Sequence, residues 1–124
     1  MLREYYSLLS ARLERVNVMN GDWSRVVTPT VTTRYGLTGV LPDPPYTKES
    51  GRSDRLYAKD DLRVGHQVRD WAVQNGGNPK LRIAICGYAG EYQMPSNWSV
   101  FEWKSGGSPN GHKERIWFSP HCLS

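Results

Sequence analysis

The chain has 124 residues, enough for one domain and little more. It carries a net charge of +4 and is 38% hydrophobic with five Trp and seven Tyr, which excludes a disordered tail and puts a packed core within reach. It shows no signal peptide and no apolar run near the ~20 residues of a membrane span, and its two cysteines lack metal-site spacing, so a reduced, metal-free cytoplasmic domain is expected.

In chain order, Leu2, Tyr5 or Tyr6, Leu9, Leu13 and Val16 recur at three- and four-residue steps. Residues 2–15 therefore read as an amphipathic helix with Arg3, Glu4, Arg12, Glu14 and Arg15 mostly outward. No capping residue precedes it, a hint that the chain begins inside a larger domain. Residues 16–19 read as a short strand ended by Asn20-Gly21, followed by Asp22-Trp23-Ser24 and a Thr-rich connection. Residues 37–41 read as a strand, and 47–55 as a polar loop. Asp60 or Asp61 is placed to cap a helix running to about Gln74, with Leu62, Val68, Trp71 and Ala72 on one side. Gly76-Gly77-Asn78-Pro79 stops it.

Residues 81–87, Leu-Arg-Ile-Ala-Ile-Cys-Gly, form the clearest strand, apolar enough for burial on both faces of a parallel sheet. Cys86 within it reads as a small packed hydrophobe. Residues 88–97 read as a loop. Residues 99–104 and 114–119 alternate as two half-buried strands around a polar, Gly-rich hairpin loop. Strand, helix, strand and then two alternating strands give an α/β sheet with a terminal antiparallel hairpin.

Asp43-Pro44-Pro45-Tyr46 follows the strand at 37–41, and ligands of such sheets lie beyond the strands' carboxyl ends. By composition alone, roughly one chain in two thousand of this length would carry that tetrapeptide. The residue before a proline is held extended, and both prolines fix φ and donate no backbone hydrogen bond. An exocyclic amine has two protons to place. The Asp43 carboxylate and the Pro44 carbonyl provide two acceptors, and Tyr46 provides a ring face for stacking. Two plainer readings stand beside this one: a proline turn after a strand, and a PxxP ligand formed by residues 42–45.

The tetrapeptide resembles the catalytic motif of amino-group DNA methyltransferases, in the form typical of adenine-N6 enzymes. The resemblance extends over nearly the whole chain: residues 21–26, 36–46, 81–88, Met94-Pro95 with Trp98, and 114–123 are similar to the carboxyl-terminal part of Dam-like adenine methylases of phage and prophage type. It implies a single, partial catalytic domain over residues 1–124, the carboxyl-terminal part of a Rossmann-like class I methyltransferase sheet with its first strands missing. The implied activity is methyl transfer from S-adenosylmethionine to an adenine flipped out of double-stranded DNA. The family's restriction-modification or phage setting implies a cytoplasmic location in a bacterial or phage-infected cell.

Position by position, the resemblance assigns Asp43, Pro44, Pro45 and Tyr46 to catalysis, with Asp43 also beside the cofactor's methionine portion. Asp22 and Trp23 match a pair that contacts the cofactor's adenosine; a loop cap and a core anchor are their alternatives. Tyr88 is placed either to line the pocket or to sit in the core. Lys48, Arg52 and Arg55 after the motif, with Lys104, Lys113 and Arg115 around the hairpin, are candidate phosphate contacts or a solvated basic surface. The chain departs from the family in having no Phe-x-Gly-x-Gly cofactor motif and no target-recognition segment. In the family the two missing strands lie between those matched by 16–19 and 37–41, so a second chain carrying them is an expected partner. The alternative is an inactive remnant, or a non-catalytic DNA-binding accessory piece, of a mobile-element gene.

Overall fold

The computed structural model describes residues 1–45, 55–104, 106 and 113–123, and their side chains except those of 55–62 and 123. Helix α1 (Leu2–Leu13) follows the apolar period seen in the sequence. Strand β1 (Thr38–Val40) leads into the Asp-Pro-Pro segment. Helix α2 (Arg55–Asn75) connects it to β2 (Leu81–Tyr88), and β3 (Ser99–Lys104) and β4 (Lys113–Phe118) complete an open mixed α/β sheet in the order β1-β2-β4-β3. β1 and β2 are parallel, while β4 runs antiparallel to both β2 and β3. The parallel connection requires a crossover, which α2 supplies.

The core lies on one face of the sheet. Val68 and Ala72 of α2 pack on Leu81, Ile83 and Ile85 of β2 and on Trp117 of β4, with Tyr92 and Trp98 closing the margin. Ile83 and Ile85 are fully buried. Each such side chain stabilises the fold by about 1.5–3 kcal/mol relative to an exposed one. Ser119 extends the ladder beyond β4: its N–H donates to the Ile83 carbonyl at 2.8 Å, and its hydroxyl accepts from the Ile83 N–H at 3.0 Å.

Four expectations are corrected. Residues 16–19 form no strand; Val18 is 93% exposed, and none of the described strands pairs with them. A strand exists only by pairing, so an apolar alternation without a neighbour leaves its backbone to water. Asp60 and Asp61 do not cap α2, because the helix already runs from Arg55 through good helix formers. β2 is buried on one face and half-buried on the other, where Arg82, Ala84 and Cys86 lie. β3 is exposed along all six residues rather than half-buried.

Candidate functional site

The site begins where β1 stops. The β1–β2 register pairs Val40 with Ile83, and beyond it the Cys86 N–H donates to the Pro42 carbonyl at 3.1 Å. Parallel pairing alternates every two residues, so position 42 would also donate to the Ala84 carbonyl. Proline has no N–H, and the strand ends at Val40. Pro42 therefore terminates the strand and still ties the next residues to the carboxyl end of β2. Beyond it Asp43 is exposed, Pro44 buried and Pro45 exposed.

A cleft of about 380 Å³ opens between this segment and α2. Pro42, Asp43, Pro44 and Pro45 form one side, Val64 and Val68 of α2 another, and Trp23 a third. Trp23 is held by an edge-to-face contact with Trp71, with ring centroids 6.3 Å apart at 74°. The cleft is mainly apolar, with Asp43 among its lining residues, a composition suited to a flat, partly polar ring. Burial pushes the Cys86 thiol above its ordinary range, and the carboxylates of Asp43 and Glu114 add to the effect. Asp43 directly follows Pro42, whose carbonyl is tied to Cys86, and is exposed to solvent.

Asp22 and Trp23, expected to act together, point to different places. Asp22 caps the 3₁₀ turn Trp23–Arg25 and accepts from the Ser24 N–H at 2.9 Å and from the Ser24 hydroxyl. Those bonds, with the nearby Arg25 charge, hold its carboxyl below the ordinary aspartate range. It borders a separate hollow of about 330 Å³ with Met19, Gly21 and Arg25. Trp23 packs against the core and also lines the Asp43 cleft. Tyr88 is buried, and its N–H donates to Glu91 at 2.8 Å.

Tyr46, Lys48 and Arg52 lie outside the described residues, as does the side chain of Arg55. Lys104, Lys113 and Arg115 come together on the β3–β4 hairpin, but Glu102 stands among them. Its carboxylate lies 3.4 Å from Lys113 Nζ and 2.5 Å from Arg115 Nε. The Arg115 bond foremost, then Lys113, keeps the Glu102 carboxyl low. Two of the three candidate phosphate contacts thus share one anion. Sequence reasoning missed Val64, Cys86 and Glu114 as neighbours of the site. The signal for Cys86 lay in topology, since parallel neighbours bring their carboxyl ends together.

Among the described residues no group of three or more His, Cys, Asp or Glu is placed to hold a metal ion, and no helix is long and apolar enough to cross a membrane. No family model, curated protein or solved structure matches the chain.

Proposed function

We propose that this chain is the base-holding, carboxyl-terminal portion of a DNA adenine-N6 methyltransferase. The observation that carries the reading is the placement of Asp43-Pro44-Pro45 at the carboxyl end of a strand, tied to β2 through Pro42 and bordering the cleft walled by Trp23. There the exposed Asp43 carboxylate and the Pro44 carbonyl accept the two protons of an exocyclic amine, and the apolar wall takes the ring. Holding the amine at two acceptors fixes its orientation, the part of catalysis that positioning supplies. Two features of the sheet support the Rossmann-like assignment: a parallel β1–α2–β2 unit that continues into an antiparallel hairpin, and β1 as a terminal strand of the described sheet. The open edge of β1 is where strands of a partner chain would pair.

The residues present do not fit S-adenosylmethionine as a complete ligand. Asp22 is engaged by Ser24, residues 16–19 form no strand, and no glycine is among the described residues that line the cleft. The methyl donor's site therefore requires residues beyond those described, which a polypeptide carrying the missing strands would supply, and the residues here hold the base alone. Double-stranded DNA is the proposed substrate, with Lys104, among the described residues of the hairpin, a cation outside the Glu102 pairs.

The test mixes the chain with a polypeptide carrying the missing strands and the glycine motif, and assays methylation of adenine in duplex DNA. Activity is expected from the mixture and not from either part, and Asp43→Ala is expected to abolish it. Methylation that survives Asp43→Ala would overturn the reading.

A further inference from the structure

The sheet face opposite α2 is mostly apolar, with Arg82 and Glu114 as its charged members, and among the described residues it is bordered by the short 3₁₀ turn Pro120–Leu123 and covered by no longer helix. The strand registers place Gly39 and Leu41, Ala84 and Cys86, Ile116 and Phe118, and Phe101 and Trp103 on that side. Leu41 is 65% exposed and Phe101 62%, and the Phe101 and Trp103 rings stack at 6.1 Å. A shallow groove of about 500 Å³ runs over Leu41, Arg82, Ala84, Ile116, Phe118 and Cys122. A four-stranded sheet at about 4.8 Å per strand leaves a face roughly 15–20 Å across. Apolar faces of this extent on soluble proteins generally have a partner.

The same chain carries an element with the matching defect. α1 has Leu2, Tyr5, Leu9 and Leu13 along one stripe and buries none of its residues. Twelve residues of helix span about 18 Å, the width of the uncovered face. The chain between α1 and the body arrives on the α2 side, because Trp23 packs against Trp71 there. To cover its own opposite face, α1 would have to wrap around the β1 edge. A second copy offers the same face without that detour.

We propose that the chain forms a two-fold dimer in which α1 of each copy lies across the open sheet face of the other. The contact is reciprocal, so one helix and one face per copy satisfy two helix-on-sheet interfaces, the self-complementary arrangement that closes a dimer. The interface is mainly apolar, so it is only weakly sensitive to salt. It does not depend on the enzymatic reading.

Sedimentation equilibrium of the full chain over a range of concentrations, at low and high salt, gives the first test. A reversible dimer is expected at both. Leu9→Arg on the helix and Phe101→Glu on the face, both exposed and so tolerated by the fold, are each expected to weaken it at least tenfold with an unchanged circular dichroism spectrum. A monomeric wild type, or a dimer that survives either change, would overturn the proposal. The second test places a benzophenone photocrosslinker at position 9 and mixes isotope-labelled with unlabelled chain. Crosslinks from labelled chain to unlabelled β3 or β4 peptides are expected. Crosslinks confined to one chain would show α1 folded on its own sheet, and would also overturn it.

Discussion

Tyr92 is the residue at which packing and polarity conflict. It is 6% exposed, packs edge-on against Trp117 at 5.6 Å, and its hydroxyl has no hydrogen-bond partner among the described residues. A buried, unpartnered hydroxyl costs about 1–3 kcal/mol. The space it occupies exists because residue 65 of α2 is glycine: a methyl group there would stand 2.7 Å from the hydroxyl oxygen and at ordinary distance from the ring. Gly65→Ala alone should therefore destabilise by about 1–3 kcal/mol. In the Tyr92→Phe background the clash disappears, and the alanine adds about 0.8–1 kcal/mol of helix propensity, so the same substitution should become stabilising. Gly87→Ala is the control: its methyl would meet a ring carbon of Tyr92 at 2.7 Å, which phenylalanine keeps. Denaturant midpoints of the four variants check this, and additive effects of Gly65→Ala and Tyr92→Phe would contradict it.

The pH behaviour of Tyr92 follows from the same burial. Burial, with some help from Glu91, pushes its hydroxyl far above the ordinary tyrosine range, whereas an unfolded chain releases that proton near about pH 10. The stability it contributes is complete below that pH and falls as the pH rises beyond it. Tyr92→Phe should flatten that alkaline decline.

At the scale of elements, much was legible because each signal was local. The apolar stripe of α1, the unbroken run of β2 and the glycines after Asn75 all appear where the periodicity and turn chemistry put them. Residues 16–19 were not legible as coil, since their alternation says nothing about whether a neighbouring strand is at hand. The early start of α2 was missed because Asp60 and Asp61 resemble caps but sit mid-helix. The site was legible as a motif but not as a neighbourhood: the tie from Pro42 to Cys86 depends on the parallel pairing of two strands about forty residues apart.

That neighbourhood gives a prediction about the motif segment and β2 as units. The Asp43 carboxylate helps raise the Cys86 thiol, second to burial. Asp43→Asn removes that charge, which should lower the thiol's pKa and speed its alkylation at neutral pH by about two- to fivefold, because the thiolate is the reacting species. Cys122, which is hydrogen-bonded near Ser119, serves as an internal reference and should not change. Peptide-resolved alkylation rates read both thiols at once. Equal rates for Cys86 in the two proteins would mean that the motif does not lie against the end of β2.

At the scale of the whole molecule, the question is how much ligand one open sheet can hold. Small-molecule sites typically enclose 70–90% of a ligand's surface between facing walls. The described residues supply three sides near Asp43, namely the prolines, Trp23 and the Val64–Val68 stretch of α2, while β1 leaves its outer edge open. A planar base can rest in such a cleft, but a ligand as long as S-adenosylmethionine would extend past it into water. Its binding to the isolated chain is therefore expected to be weaker than about 1 mM, about 4 kcal/mol at most. Isothermal titration of the chain with S-adenosylmethionine measures this directly, and micromolar affinity would show that the donor site is complete within these 124 residues. The titration is repeated with the Leu9→Arg variant, because the dimer brings a second copy of the chain against the open sheet. If the affinity were micromolar in the dimer and lost in that variant, the missing wall would come from this chain itself rather than from a different polypeptide.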